Sequence, residues 1–248
     1  MNILLSGALG HMGREVARQV EAEGIEILCG VDAAAGEAGF PVYTRFEDAP
    51  KADVVVDFSV PQALPDLLAY CERHGVPAVL CTTGYDDDQL AAIDEASKRV
   101  ALFRSGNMSL GVALLRALAR KAAAVLGEGF DVEIVEAHHN RKKDAPSGTA
   151  LMLYDAVKDA YDQPRTAVYG RHGRESKRQS GEIGIHALRG GTVTGEHEVC
   201  FFGPSERVKL SHSAESRSVF ASGALRAAAF LMGKEPGLYS MDDLVGRL

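Results

Sequence analysis

Residues 2–13 read Asn-Ile-Leu-Leu-Ser-Gly-Ala-Leu-Gly-His-Met-Gly, an apolar run that passes directly into a glycine-rich turn. The apolar part predicts a buried strand over residues 2–6, and the periodicity of residues 12–23 predicts an amphipathic helix. Glycines between a strand and a helix permit a tight turn and let the backbone approach a pyrophosphate closely. The N–H groups that begin the helix then bind the anion. This stretch therefore predicts a dinucleotide site.

An acidic residue, Asp32, follows Gly13 by 19 residues and ends the next predicted strand. A carboxylate at this position accepts hydrogen bonds from the ribose hydroxyls of the adenosine half. It also repels a 2′-phosphate, and the three alanines that follow it supply no cation to hold one. We expect NADH to be preferred, while His11 offers a partial cation that would let NADPH bind as well. An ordinary turn residue at a strand end is the alternative interpretation of Asp32.

The first 105 residues alternate between short apolar runs and segments with helical periodicity. Apolar strands separated by helices predict a parallel sheet covered on both faces, and right-handed crossovers make it doubly wound. The further predicted strands cover residues 25–31, 53–58, 77–81 and 100–104, and the further helices cover residues 61–74 and 86–98. We therefore expect a Rossmann-type fold in the amino-terminal part.

Two more loops follow predicted strands at the carboxyl edge, where doubly wound sheets bind ligands. They read Cys-Thr-Thr-Gly at residues 81–84 and Ser-Gly-Asn-Met at residues 105–108. Small hydroxyl residues and glycine let a nicotinamide ring and its ribose lie against the backbone, so we predict that both loops contact the cofactor. Capping of the following helix is an alternative role for Thr82 and Thr83.

The pattern changes after Gly106. Predicted helices cover residues 108–126 and 147–161, with a strand at residues 130–138 between them. Strands at residues 181–189, 192–202 and 207–213 then follow one another without intervening helices, which is typical of an α+β region with at least partly antiparallel pairing. A last helix is predicted over residues 216–232. We expect two domains without a disordered linker.

The composition limits the classes of function. The chain has 248 residues, 46% of them hydrophobic, with 27 basic against 34 acidic residues and a net charge of −7. Such a balance is ordinary for a globular protein and argues against general binding of nucleic acid, whose affinity comes from Lys and Arg. No apolar window of about 18 residues predicts a membrane helix. The four cysteines are far apart in sequence, so we expect free thiols and no metal site. The amino terminus lacks a basic signal-peptide region, so we expect a cytoplasmic protein.

A cationic loop lies between the strand at residues 130–138 and the helix that follows. Residues 138–149 read His-His-Asn-Arg-Lys-Lys-Asp-Ala-Pro-Ser-Gly-Thr, so five basic or titratable nitrogen side chains occur within six residues. The end of the loop opens a helix, whose N–H groups and hydroxyls predict a pocket for a small carboxylate. Histidine and lysine are suitable proton donors after hydride transfer. A solvated run of charge is the alternative interpretation.

These residues carry a resemblance to a known family. The chain resembles the 4-hydroxy-tetrahydrodipicolinate reductases (dihydrodipicolinate reductases) of lysine and diaminopimelate biosynthesis, and the block over residues 136–149 is the most specific part. The other matching stretches are residues 7–13, 56–59, 82–84, 107–112, 181–184, 189–191 and 195–197.

The resemblance implies reduction of a small dicarboxylate by NAD(P)H, with hydride transfer followed by protonation. It implies that His138 and Lys142 are catalytic, either of them giving the final proton, and that His139, Ser147, Gly148 and Thr149 bind substrate. The implied cofactor contacts are Gly7, Ala8, Leu9, Gly10, His11, Met12, Asp32, Cys81, Thr82, Thr83, Ser105, Gly106, Asn107 and Met108. It further implies a dinucleotide domain of residues 1–107 and 214–248, and a domain of residues 108–213 whose open mixed sheet binds substrate and forms a homotetramer.

Two other functions remain as alternatives. Another two-domain nicotinamide enzyme, such as an aspartate or homoserine dehydrogenase, would explain the dinucleotide site but not the paired histidines beside residues 144–149. An NADH-sensing module whose second domain contacts a partner would also fit the fold. The net charge of −7 and the lack of a basic recognition helix argue against a version that binds DNA.

Overall fold

The computed structural model describes residues 1–36 and 38–246, which form two units. The first unit contains Met1–Leu110 and Arg217–Gly246, and the second contains Gly111–Ser216. In chain order the strands are β1 (Asn2–Ser6), β2 (Glu26–Val31), β3 (Val42–Tyr43), β4 (Val54–Asp57), β5 (Ala78–Leu80), β6 (Ala101–Arg104), β7 (Asp131–His138), β8 (Thr166–Tyr169), β9 (Glu182–Arg189), β10 (Gly195–Phe202), β11 (Arg207–Ala214) and β12 (Gly237–Tyr239). The helices are α1 (His11–Gln19), α2 (Leu64–His74), α3 (Asp87–Ser97), α4 (Leu110–Leu126), α5 (Gly148–Lys158), α6 (Ser218–Leu231) and α7 (Met241–Val245).

The first unit is built on a seven-stranded sheet in the order β12-β6-β5-β4-β1-β2-β3, with parallel pairing between all neighbours. This confirms the predicted doubly wound sheet. Ile3, Leu4 and Leu5 in the central β1 have no exposed surface, as expected for a strand covered on both faces. The strand order reverses between β1 and β4, and the carboxyl ends of the strands beside such a reversal form a ligand crevice.

The second unit contains a five-stranded mixed sheet in the order β11-β10-β7-β9-β8. The central β7 pairs antiparallel with β10 and parallel with β9, while β11 and β8 form the two edges. The predicted mixed sheet is confirmed. Side chains along its strands alternate between the two faces of the sheet, so Val132 and Ile134 of β7 point into a core shared with α4 and α5. Leu115 and Leu153 contribute to this core.

The last long helix, α6, belongs to the first unit and packs against α1 and β4. Ala221, Ala224 and Ala228 on this helix have no exposed surface. A Cβ atom at Gly223 would lie 1.7 Å from the carbonyl oxygen of Met108, so the helix can approach only because that position is glycine. In the described part of the chain, no helix is long and apolar enough to span a membrane.

Three short strands and one short helix lie outside the sequence-based prediction, namely β3, β8, β12 and α7. Segments of two to five residues are too short to show a period of either kind. The four cysteines are buried free thiols, as predicted. Burial raises the pKa of Cys29 and of Cys200 to about 11, so these thiols stay protonated at neutral pH.

Candidate functional site

The glycine turn of the first unit lies directly at the carboxyl end of β1. Gly7 has φ +75°, and a Cβ atom there would lie 2.5 Å from the carbonyl oxygen of Phe58. In the first turn of α1, a Cβ atom at Gly13 would lie 2.3 Å from the carbonyl oxygen of Gly7. Gly10 is the N-cap of α1 and supplies no side chain to its first N–H groups. The turn is therefore as tight as predicted, and the start of α1 has the chemistry of an anion site.

Asp32 follows β2 and is tied to the glycine turn. Its Oδ2 accepts a hydrogen bond from the N–H of Leu9 at 2.9 Å, and its Oδ1 accepts one from the N–H of Ala34 at 3.4 Å. The side chain is half-buried. A carboxylate with these two contacts keeps further lone pairs for hydroxyl donors such as those of a ribose.

A buried carboxylate that the sequence reasoning did not single out, Asp57, ends β4 beside the turn. It is 1% exposed, and its Oδ1 accepts hydrogen bonds from the hydroxyls of Ser6 at 2.6 Å and Ser59 at 2.5 Å. The hydroxyl of Tyr85 lies 3.5 Å from its Oδ2. Burial, and after it the charge of Asp57, raises the pKa of Tyr85, so this phenol stays a donor. These contacts tie together the carboxyl ends of β1 and β4.

The two later loops lie at the same edge, because they follow the parallel strands β5 and β6. In the first of them Cys81 and Thr82 are buried, while Thr83 is exposed. Neither threonine caps α3, since Asp86 does so with Gln89 in a reciprocal capping box. The alternative role of the threonines as caps of α3 is therefore wrong.

The loop after β6 is held by its own side chains. The hydroxyl of Ser105 donates to the carbonyl oxygen of Asn107 at 2.7 Å, and the amide oxygen of Asn107 accepts from the N–H of Ser109 at 2.9 Å. Met108 is 3% exposed, whereas Gly106 is exposed. The structure thus brings Gly7, Asp32, Cys81 and Ser105 to one edge of one sheet.

The second unit holds a cluster of charged side chains around Glu136 of β7. Glu136 has no exposed surface, and its two oxygens accept hydrogen bonds from both terminal nitrogens of Arg189, each at 2.7 Å. Oε2 also lies 2.6 Å from Nδ1 of His138, and Oε1 accepts the N–H of Ser147 at 3.0 Å. Burial raises the pKa of Glu136, but the hydrogen bonds from Arg189, His138 and Ser147 outweigh it and leave the pKa below its usual value. Glu136 is therefore a carboxylate at neutral pH.

Strand register places these groups together. Glu136 and His138 alternate with outward-facing residues of β7 and so lie on its core face. Across the parallel pair, His138 is opposite Arg189 of β9, and across the antiparallel pair Glu136 is opposite His197 of β10. The rings of His138 and His197 meet edge to face, with centroids 5.1 Å apart.

Ser147 and His197 form the other side of this cluster. The hydroxyl of Ser147 lies 2.9 Å from Nε2 of His197 and accepts the N–H of Ala150 at 3.1 Å, which caps α5. Burial, and after it the charge of His138, lowers the pKa of His197 to about 4. His197 is therefore neutral at physiological pH. Ser147 is 2% exposed, and its hydroxyl is already used to cap α5.

The cationic loop lies next to the cluster. His139 is half-buried, and its backbone N–H donates to the carbonyl oxygen of Val193 at 2.7 Å. Nζ of Lys142 forms an ion pair with Asp144 at 3.0 Å. Gly148, the first residue of α5, is exposed. An exposed helix start beside histidine and lysine can hold a carboxylate. Among residues 1–36 and 38–246, no group of His, Cys, Asp and Glu is arranged to hold a metal ion.

Comparison with known proteins gives the family. Residues 1–108 match the family described as dihydrodipicolinate reductase, N-terminus, and residues 111–245 match the family described as dihydrodipicolinate reductase, C-terminus. The chain belongs to the dihydrodipicolinate reductase family. A 4-hydroxy-tetrahydrodipicolinate reductase of Caldanaerobacter subterraneus subsp. tengcongensis is 49% identical, over 99% of this chain and 98% of the relative. One of Clostridium novyi is 46% identical, over 98% and 97%.

Solved structures show the fold. A dipicolinate-bound dihydrodipicolinate reductase from Paenisporosarcina sp. has a TM-score of 0.81 at 24% identity and covers 97% of each chain. An aspartate dehydrogenase from Thermotoga maritima has a TM-score of 0.55 at 13% identity, over 95% of this chain and 98% of that chain. The aspartate dehydrogenase thus shares the fold alone, so the alternative of such an enzyme is not favoured. Membership in a dinucleotide-dependent reductase family also shows the use of NAD(P)H.

For this member of the reductase family, the residues without a role in the sequence prediction are Asp57, Glu136, Arg189 and His197. Glu136 carries a readable signal, because a carboxylate on the apolar face of a strand needs a buried partner. Its partner Arg189 lies 53 residues away and carries no such signal.

Acid should destabilise the second unit through His197. Its pKa is about 4 in the folded protein against an ordinary value of 6.5. Between these pH values the unfolded chain binds a proton that the folded chain excludes, so the free energy of unfolding falls as the pH is lowered. The loss should reach about 3 kcal/mol at the lower value.

Urea unfolding of the wild type and of His197→Gln across this pH window measures the effect. Glutamine keeps a polar group near Ser147 but does not titrate, so the variant should lose less stability toward low pH. The same pH dependence in both proteins would contradict the role of His197.

Proposed function

We propose that the chain reduces 4-hydroxy-tetrahydrodipicolinate to tetrahydrodipicolinate with NAD(P)H, a step of lysine and diaminopimelate biosynthesis. The observation that carries this proposal is the similarity of almost the whole chain, at 41–49% identity, to reductases of that name. The cluster around His138 supports it, because it supplies proton donors beside an exposed helix start of the kind that holds a carboxylate.

The first unit binds the dinucleotide, whose nicotinamide supplies the hydride when bound. The uncapped start of α1 holds the pyrophosphate, and Gly7 and Gly13 let the backbone come close enough. Asp32 holds the adenosine ribose. The remaining cofactor contacts in this proposal are Ala8, Leu9, Gly10, His11, Met12, Cys81, Thr82, Thr83, Ser105, Gly106, Asn107 and Met108. In this proposal the dinucleotide-binding domain comprises residues 1–107 and 214–248.

The second unit binds the dicarboxylate and supplies the proton that completes the reduction. Gly148 and Thr149 hold a carboxylate at the start of α5, Ser147 fixes that start by capping it, and His139 adds a contact from the loop. His138 and Lys142 exchange protons with the substrate. The substrate-binding domain covers residues 108–213.

We further propose a cytoplasmic homotetramer that has no membrane or nucleic-acid partner and needs no metal. One face of the mixed sheet is not covered by α4 and α5, and Leu188 and Phe202 on it are 56% and 41% exposed. Exposed apolar side chains on a sheet face are typical of a surface that packs against other subunits.

The activity is tested by following NADH oxidation in the presence of freshly generated 4-hydroxy-tetrahydrodipicolinate. Oxidation should depend on both the enzyme and this substrate. Binding of NADH without turnover of the dicarboxylate would instead favour a sensing module.

The cofactor preference gives a separate prediction. NADH should have a kcat/KM about tenfold higher than that of NADPH, equivalent to about 1.4 kcal/mol. The reason is the carboxylate of Asp32, which the N–H of Leu9 holds beside the glycine turn at 2.9 Å. Asp32→Ala removes the hydrogen bonds to the ribose and the repulsion of the 2′-phosphate. It should therefore lower the ratio of kcat/KM with NADH to kcat/KM with NADPH. Steady-state kinetics with both cofactors measures this, and a wild type that prefers NADPH would refute it.

A further inference from the structure

Four N–H donors converge on one buried carboxylate in the second unit. Glu136 accepts two hydrogen bonds from Arg189, one from the ring of His138 and one from the backbone of Ser147. An ionised carboxylate only accepts hydrogen bonds, so the nitrogen of His138 that faces it must carry the proton. That nitrogen is Nδ1, at 2.6 Å.

The guanidinium of Arg189 extends the same network into the cationic loop. Its Nη2 donates to the carbonyl oxygen of Asp144 at 2.7 Å, and its Nη1 donates to that of Leu188 at 2.6 Å. The Glu136–Arg189 pair thus contacts the ring of His138, the start of α5 and the loop that carries Lys142. Each of these parts belongs to the proposed substrate site.

The other ring nitrogen of His138, Nε2, lies beside Gly195 of β10. A Cβ atom at Gly195 would lie 3.1 Å from this nitrogen, closer than an ordinary van der Waals contact. The glycine at this position in β10 therefore leaves Nε2 without a side chain packed against it from that strand.

We propose that Glu136, held by Arg189, is a positioning residue that fixes His138 as the Nδ1–H tautomer, so that Nε2 alone exchanges the proton with the substrate. This inference rests on the proposed function, and it assigns a role to two residues that do not themselves contact substrate. The same pair also sets the start of α5 through the N–H of Ser147, so it aligns the proton donor with the carboxylate pocket.

The charges that face His138 decide what removal of Glu136 does. They are Glu136 on its own strand and Arg189 on β9. His197 on β10 is neutral and faces His212 on β11, and Lys142 in the loop is near enough for its charge to act on His197. Without the carboxylate, the half-buried guanidinium of Arg189 loses its partner at this position. A like charge disfavours a protonated imidazole next to it.

Glu136→Gln tests the proposal by kinetics. We expect kcat to fall by about 10²-fold, because a displaced donor loses alignment. The alkaline limb of the kcat–pH profile should move to lower pH, because the carboxylate no longer offsets the charge of Arg189. Glu128→Gln is the matched control, since it removes a carboxylate that pairs with the buried Arg165 of the same unit. Its kcat and pH profile should equal those of the wild type.

The double variant Glu136→Gln/Arg189→Gln separates positioning from stability. It removes the guanidinium that the single variant leaves without its carboxylate, so it should regain part of the stability that the single variant loses. If the pair positions His138, kcat stays low although the protein is stable. A double variant that is stable and fully active would overturn the proposal.

A spectroscopic measurement tests the tautomer without any turnover. Long-range proton–nitrogen NMR of the wild type, with isotope-labelled nitrogen in its histidines, should show that the neutral form of His138 carries its proton on Nδ1. A proton on Nε2 would overturn the proposal even in an active enzyme. Conversely, an Nδ1–H tautomer in a protein that does not reduce the dicarboxylate would refute the proposed function and leave the tautomer assignment standing.

Discussion

His138→Gln should lower kcat by about 10²–10⁴-fold, the usual cost of losing a positioned proton donor. His138 is 9% exposed and its Nδ1 is held by Glu136, so glutamine fills similar space but cannot deliver a proton. Lys142→Ala should have a comparable effect, because Lys142 is the second proposed donor and Asp144 holds its ammonium group at 3.0 Å. Steady-state kinetics with the dicarboxylate measures both changes.

Two variants in the same segment serve as controls. Lys143→Ala removes an exposed lysine next to Lys142 and should leave kcat and KM unchanged. Thr149→Ala should chiefly raise KM, since it removes one hydrogen bond to a charged group, worth about 1.5–3 kcal/mol. NADH affinity should be unchanged in all four variants, because these residues lie in the second unit.

Near-wild-type kcat in both His138→Gln and Lys142→Ala would mean that the loop only docks the substrate. A loss confined to one of them would identify the residue that gives the final proton. A fall in kcat for Lys143→Ala as large as that for Lys142→Ala would instead indicate a general requirement for positive charge.

Gly13→Ala should weaken NADH binding by about 10²-fold or more, equivalent to about 2.7 kcal/mol. A Cβ atom there would lie 2.3 Å from the carbonyl oxygen of Gly7 and 2.6 Å from that of Ala8. Both are backbone atoms of the turn, so relief requires α1 to move away from β1 and carries its first N–H groups away from the pyrophosphate. Overpacking of this kind also costs about 1–3 kcal/mol of stability.

Gly10→Ala is the matched comparison within the same turn. Its Cβ atom would lie 3.1 Å from the carbonyl oxygen of Gly7, which a shift of a few tenths of an ångström relieves. It should therefore weaken NADH binding by less than about tenfold. Fluorescence titration of NADH, with thermal unfolding in parallel, ranks the two variants, and equal affinity in Gly13→Ala and wild type would contradict the packing argument.

The parts of the fold that the sequence predicts are those whose causes are local. β1, the glycine turn and the start of α1 lie within 13 consecutive residues, and their apolar run and glycine spacing are properties of that segment. The parallel sheet follows from strands that are apolar throughout. By contrast, β3, β8 and β12 form at sheet edges because a neighbouring strand offers unpaired N–H and C=O groups, and two to four residues carry no signal of this.

By itself, then, the sequence determined the dinucleotide fold, the mixed second sheet and the loop that carries His138 and Lys142. Only the tertiary structure decided which groups act on His138. Glu136 contacts Arg189, which is 53 residues away in sequence, and lies opposite His197, which is 61 residues away. Both contacts depend on strand register. A shift of one residue in either pairing would turn those side chains to the opposite face of the sheet, so no segment of the chain contains this information alone.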